Sequence, residues 1–310
     1  MSMSEYEETE QSKMLWRMNR DRLIFYKSPN EIVPHNILEV LWKYAYIFLR
    51  IGHRTITARN IYDIKQEKGA AEYELMREKY TGTIPKIAIY TCISDGYDNL
   101  TEPVYKNEYM DYYVVTEAAI PHQSMWNKID LKSVNTVRNL DKIRKARYIK
   151  LHPHELFPDY EYSLWIDGNV CVMADIIPML LAMIQSGKKM GCHLHPHRNR
   201  LKTEAKAISS LKRKVDPEKM MQQVSDYYRK GYADECSIFE TTVLLRKHND
   251  KNVQKIMSDW WSQIKKYTTR DQLSLPYVLW ANQLSMSDIF ILGHNLKLNP
   301  RIRYFTHRSR

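Results

Sequence analysis

The chain has no C-x-x-C pair, no G-x-G-x-x-G turn, no P-loop and no apolar run long enough to cross a bilayer. Each absence removes a class. The four cysteines, Cys92, Cys171, Cys192 and Cys236, stand far apart, which argues against a zinc knuckle and suits free thiols in a reducing, cytoplasmic setting. Without a glycine fingerprint, a dinucleotide cofactor and a P-loop kinase are disfavoured. Residues 1–11 are polar and acidic and lack the apolar core of a signal peptide. The apolar stretch 37–51 carries Glu39, Lys43 and Arg50. It is too short and too charged to span a membrane, although a peripheral contact with the cytoplasmic face stays open. No repeat and no low-complexity linker interrupts the chain.

What is present is an ordinary globular composition. Of 310 residues, 44% are hydrophobic and 27% charged, enough for a sizeable core. The net charge of +11 fits nucleic acid, an anionic membrane surface or a polyanionic small molecule, and charge alone does not choose among them.

Two regions differ in rhythm. In 1–84, Ile37, Leu38, Leu41, Trp42, Tyr44, Ala45, Phe48 and Leu49 recur at helical spacing, and 62–80 is a charged helical tract. This predicts a helical N-terminal extension followed by a main domain over 85–310. From Lys86 onward, strands and helices alternate. Strands are expected at 86–93, 111–117, 162–166, 190–193 and 240–246, with helices at 140–150, 176–184 and 252–266. That alternation argues for an α/β sheet with ligands at the strand ends.

The densest signal is the stretch from Tyr162 to Val170, which includes Asp167, Gly168 and Asn169. Tyr162, Leu164 and Ile166 alternate as a strand does. The strand ends on a carboxylate, a glycine allows a tight turn, and a second side-chain oxygen follows. Oxygen ligands at a strand end suit a hard divalent cation bridging to a diphosphate. The same residues would also serve as a plain turn.

Other constellations surround this one. The loop 94–98 follows the first strand, and Asp95 and Tyr97 could hold a nucleoside by hydrogen bonding and stacking. Arg144, Arg147 and Lys150 lie three apart on one helix face and could neutralise a diphosphate. His193, His195 and His197 alternate, a pattern that can bind a transition metal. Pro196 interrupts it, so a loop in which His195 and Arg198 touch a ligand is the better reading. Thr269 is expected to cap a helix whose first turn holds Asp271 and Gln272, with Asp271 able to orient a sugar hydroxyl or act as a base. His294 could complete an oxygen-rich metal site begun by Asp167 and Asn169.

Taken in order, these segments resemble one family. They are residues 86–98, the 111–117 strand, Arg147 to Lys150 with 153–158, Trp165 to Asn169, His195 to Arg198 with Glu204 and Ala205, and Thr269 to Ser274. The chain resembles the glycosyltransferase-like family that includes plant mucilage-related and turgor-defect proteins and bacterial relatives. The resemblance covers roughly 86–280. It implies a GT-A-like, Rossmann-type mixed sheet flanked by helices and a nucleotide-sugar transferase with a role in polysaccharide synthesis. The usual D-x-D motif is D-G-N here, so Asn169 offers a neutral oxygen where a second carboxylate is common.

On that resemblance the donor is a nucleoside-diphosphate sugar, and Mn²⁺ or Mg²⁺ sits on Asp167, Asn169 and His294. Asp95, Tyr97, Arg147, Lys150, His195, Arg198 and Gln272 contact the donor. Asp167 and Asp271 carry the chemistry, Asp271 as base if the anomeric centre inverts. The acceptor is a glycan or lipid-linked hydroxyl. Two alternatives come from other classes. A basic nucleic-acid-binding protein would use the run from Arg198 to Lys214, against which stands the lack of any recognisable module. A metal-dependent hydrolase would use His193, His195 and His197, and one member type of the family has been linked to lipid-amide hydrolysis.

Overall fold

A computed structural model of the chain describes residues 80–195, 198–210, 216–293, 296, 299 and 301–305. The expected helical extension over 1–84 falls almost wholly outside the described residues, as do His197 and His294.

Six strands run in one direction and one runs against them. Strands β1 (Ile87–Ile93), β2 (Met110–Thr116), β3 (Trp126–Asp130), β4 (Tyr162–Ile166), β6 (Met190–Leu194), β7 (Phe239–Arg246) and β8 (Phe290–Gly293) form a sheet of order β3-β2-β1-β4-β7-β6-β8. The β1–β2, β2–β3, β1–β4 and β6–β8 pairs are parallel, whereas β7 is antiparallel to both β4 and β6. Strands β5 (Val170–Val172) and β9 (Ile302–Tyr304) pair as a separate antiparallel ribbon. The expected mixed α/β sheet flanked by helices is what the chain forms.

The helices are α1 (Lys142–Leu151), α2 (Pro153–Leu156), α3 (Ile177–Gln185), α4 (Leu201–Ser210), α5 (Pro217–Arg229), α6 (Lys251–Lys266) and α7 (Asp271–Ala281). Aspartates fix three of their starts. Asp141, Asp216 and Asp250 each accept two backbone N–H groups in the first turn of α1, α5 and α6, satisfying donors that a helix leaves unpaired. Thr269 does not cap α7. The cap position is Arg270, which makes no side-chain cap bond. The Thr269 carbonyl instead accepts from Arg147 Nε at 3.3 Å.

Both faces of the sheet are covered, so its central strands are buried throughout. Ile87, Ile89, Leu164, Ile166, Val243 and Leu245 pack with α3 on one face. Ala88, Tyr90, Trp165 and Leu244 pack on the other with Ile149, Trp260 and Val278. This explains why β4 reads as a continuous apolar run. Trp165 belongs to one core layer, and Leu164 and Ile166 to the other.

Arg246 lies fully buried beneath this second layer. Its Nη1 donates to the Lys150 carbonyl at 2.7 Å, and Tyr90 Oη donates to the same carbonyl at 2.7 Å. Two buried donors thus fix the last turn of α1 against β1 and β7. Among the described residues no helix is long and apolar enough to cross a membrane.

Candidate active site

The carboxyl end of β4 is where β1, β4, α1 and α7 deliver polar side chains to one place. Asp167 follows β4 directly, and its backbone N–H donates to the Thr242 carbonyl of β7 at 2.9 Å. Trp165, two residues earlier on the same strand, donates its indole N–H to Asp167 Oδ1 at 2.7 Å. Lys150 Nζ stands 3.7 Å from that same oxygen. The Asp167 side chain keeps 25% of its surface exposed, so its carboxylate is oriented from below and opens outward.

Lys150 itself is closed to solvent, and its ammonium lies 2.6 Å from Asp271 Oδ2. Asp271 starts α7 and is also buried. Its Oδ2 accepts from Thr241 Oγ1 at 3.0 Å and lies 3.4 Å from Arg147 Nη1. Its Oδ1 accepts from the Gln272 N–H at 3.1 Å. Burial alone would raise the Asp271 pKa, but Arg147 and Lys150 outweigh it and hold the carboxyl well below the usual range. For Lys150, burial lowers the pKa, and the Asp271 and Asp167 carboxylates offset only part of that. The two effects pull the pair in opposite senses. We take the ionised carboxylate as governing, because Asp271 has two cations and two further donors.

A second charged group lies next to this one. Glu204 of α4 is fully buried and accepts from Arg198 Nε. Its other oxygen is 3.9 Å from Arg270 Nη2, which also donates to Gln272 Oε1 at 3.1 Å. His195 joins through its Nδ1, which accepts the Arg198 backbone N–H at 3.1 Å. His195, Arg198 and Gln272 are therefore linked by Glu204 and Arg270, beside Asp271.

The third part is the loop after β1. Asp95 (φ 52°) and Gly96 (φ 60°) adopt left-handed backbone, which glycine accommodates without a Cβ clash. Ser94 Oγ ties the loop to α1 through the Lys142 carbonyl at 3.0 Å. Tyr97 is 58% exposed, with Lys142 Nζ 5.9 Å from its ring centroid. Gly168 brings this loop close to the acidic turn. A Cβ at Gly168 would meet Asp98 Oδ2 at 3.2 Å and Ile93 Cγ1 at 3.3 Å.

Some expected residues fall elsewhere. Arg144 turns to Asp141 at 2.7 Å rather than joining Arg147 and Lys150. Asn169 is 5% exposed, and its amide nitrogen donates to the Phe305 carbonyl at 2.7 Å while Phe305 N–H donates back to the Asn169 carbonyl at 2.9 Å. Its side chain thus anchors the β5–β9 ribbon. His193 is buried inside β6, where Nε2 meets the Asn299 amide at 3.0 Å and burial lowers its pKa to about 3. It is a neutral core histidine, and His195 lies beyond the strand end. Among the described residues no group of three or more His, Cys, Asp or Glu is placed to hold a metal ion.

Several site residues carried no role in the sequence reading. Trp165 read only as strand character, although its spacing of two from Asp167 put both on one face. Glu204 and Arg270 stood inside the recognised segments without a partner. Thr241 had no signal at all, since its contact depends on β7 entering antiparallel beside β4.

The chain is 25% identical over 216 residues to a probable hexosyltransferase, MUCI70, of Arabidopsis thaliana, covering 62% of this chain and 37% of that protein. It is 23% identical over 157 residues to an alkaline ceramidase, TOD1, of the same plant, covering 44% of this chain and 34% of that protein. The chain thus spans about a third of the length of these curated relatives. Among solved structures, mouse xyloside xylosyltransferase 1 in its apo form is similar with a TM-score of 0.40 and 10% identity, over 68% of this chain and 85% of that one. The model of the TOD1/MUCI70 glycosyltransferase-like domain matches residues 65–294, and the chain belongs to that family.

Proposed function

We propose that the chain is a glycosyltransferase that moves a sugar from a nucleoside-diphosphate donor to the hydroxyl of a glycan or lipid-linked acceptor. One observation carries the reading: an outward-facing Asp167 carboxylate is oriented from beneath by Trp165 and flanked by the buried Lys150 and the half-buried Arg147. Family membership supports the reaction class.

Asp167 presents hard oxygen chemistry, and Gly168 lets Asp98 approach the same turn. That donor chemistry fits Mn²⁺ or Mg²⁺ shared with the donor's phosphates and does not fit a self-contained protein cage. Asp167 would hold the ion, with Asn169 and His294 as the remaining candidates. A bound ion would supply charge neutralisation for a departing diphosphate.

The chain's own residues act on the same charge. Arg147 and Lys150 form a fixed cationic wall behind Asp167, and Arg198 and Arg270 extend it through Glu204. Preorganised charge of this kind stabilises a leaving group without reorganising at the moment of reaction. Asp95 and Tyr97 hold the nucleoside, and His195 and Gln272 line the side of Asp271. We assign Asp271 an anchoring role in place of the expected base. Its low proton affinity and fully engaged oxygens suit it to holding Arg147 and Lys150, not to taking a proton from an acceptor.

The test is a panel of nucleotide sugars with Mn²⁺ or Mg²⁺, read as thermal stabilisation and slow donor hydrolysis. A ligand that binds only the folded state raises its stability by mass action. Metal-dependent stabilisation by one donor supports the assignment. No stabilisation and no hydrolysis across the panel removes it.

A further inference from the structure

Glu204 sits in the first turn of α4 with its side chain closed to solvent. A carboxylate there has lost its water and is tolerated only where cations or donors replace it. Two guanidinium groups from different loops do so. Arg198 Nε donates to Oε2, and Arg270 Nη2 stands 3.9 Å from Oε1. Oε1 itself accepts no hydrogen bond among the described residues.

The contact with Arg198 differs from a plain structural ion pair. Arginine and a carboxylate frequently meet fork to fork, two parallel N–H groups on two oxygens. Here Glu204 takes only the Nε–H, and neither terminal nitrogen of Arg198 has a hydrogen-bond partner among the described residues. Glu204 is enclosed, whereas 27% of the Arg198 side chain is exposed. The surrounding loop is fixed as well. His195 N–H donates to the Ile238 carbonyl at 2.8 Å, Arg198 N–H to His195 Nδ1 at 3.1 Å, and Leu201 N–H to Asp234 Oδ1 at 3.1 Å. Arg198 is thus held at its backbone and at Nε, with its outer edge left over. Arg147 and Lys150, by contrast, both face Asp271.

A guanidinium anchored at Nε presents Nη1 and Nη2 as a pair of donors, which suits two oxygens of one anion. Holding it in advance avoids the cost of ordering a long side chain when the ligand arrives. We propose that Glu204 is a positioning residue: it turns Arg198 so that Nη1 and Nη2 form a bidentate subsite for an oxyanion of the substrate. Oxyanions of this shape have two sources, a phosphate of the donor or a carboxylate on a sugar. The inference rests on the nucleotide-sugar reading above and names the residue that orients one of its cations.

Inorganic pyrophosphate with Mg²⁺ is titrated into the full chain by calorimetry, and glucuronate is compared with neutral glucose by ligand-observed NMR. The wild type is expected to bind at least one of the two anions. Arg198→Gln should weaken that anion about tenfold, as for loss of a charge-assisted hydrogen bond. Glu204→Gln should weaken it comparably, and should add little in an Arg198→Gln background. A purely structural Glu204 would lower the thermal midpoint and weaken binding by the same factor in either background. Arg198→Lys keeps the charge but has no fork to orient, so it should bind like Arg198→Gln. That variant decides the matter if Glu204→Gln does not fold. A loss with pyrophosphate assigns the subsite to donor phosphate, and a loss with glucuronate assigns it to a sugar carboxylate. Full affinity in Arg198→Gln or Arg198→Lys, or an undiminished effect of Glu204→Gln in the Arg198→Gln background, overturns the inference and leaves the transferase reading standing. A wild type that binds neither anion overturns the inference as well, and if it also binds none of the nucleotide sugars, the transferase reading falls with it.

Discussion

The Lys150 ammonium lies 2.6 Å from the Asp271 carboxylate, and both side chains are buried. Removing Lys150 takes one of two cations from a buried carboxylate that keeps only Arg147, and breaking a buried pair costs up to about 3–5 kcal/mol. Lys150→Met is therefore expected to lower the urea unfolding free energy by up to about that amount and to abolish transfer. Lys150→Met combined with Asp271→Leu should recover most of the stability and none of the activity. If the double variant is as unstable as the single one, the pair is not the coupled unit described.

Asp167 is held by Trp165 and opens outward. Asp167→Asn keeps the shape and removes the charge. Transfer should fall by about 10²–10³, as for loss of one preorganised electrostatic group, while the thermal midpoint stays close to wild type. Undiminished transfer would take Asp167 out of the site.

Trp165 touches Asp167 rather than any reacting atom, so it acts by positioning. Trp165→Phe keeps most of the packing and deletes the indole N–H. A hydrogen bond to a charged acceptor is worth about 1.5–3 kcal/mol, so turnover should drop about tenfold or more. Donor affinity should change little. A variant that loses affinity and turnover equally would point to collapse of the strand end instead.

His193 and His248 are both buried, and burial lowers their pKa values to about 3 and about 4. Their ordinary value is near 6.5, so below that pH the unfolded chain takes up protons that the folded chain refuses. Stability is then full above pH 6.5 and declines as pH falls toward 4. Each histidine contributes up to about 1.4 kcal/mol per pH unit in that window. Urea titrations from pH 7 to 4.5 should show the decline, and His193→Gln should flatten it. The depressed Asp271 carboxyl adds a later loss. Its contribution is present above the ordinary carboxylate pKa and disappears only as pH falls through the lower folded value.

Much of the sheet was readable because its strands are short, apolar and bounded by polar turns. The segment 86–93 became Ile87–Ile93, 111–117 became Met110–Thr116, and 240–246 became Phe239–Arg246. Strand β3 escaped because it is polar: Asn127, Lys128 and Asp130 line a sheet edge, where burial writes no pattern. Helix α4 escaped because its lysines fell within the basic run from Arg198 to Lys214, and α5 beyond that run carried no reading. The carboxylate of Asp167 was legible from its place at a strand end. The roles of its neighbours were not, because pairing in space separates residues distant in sequence. Lys150 meets Asp271 across 121 positions and Asn169 meets Phe305 across 136. Helical spacing put Arg144 with Arg147 and Lys150, but Asp141 lay nearer and took it.

The link between Asn169 and Phe305 gives the acidic turn a second point of support. The seven-stranded sheet is complete without β9, yet the backbone just past Asp167 is stitched to residues 302–305. A chain cut before Ile302 would lose both the hydrogen bonds on the outer side of that turn and a buried core side chain. The turn that presents Asp167 and the core beneath it therefore draw on the same short strand.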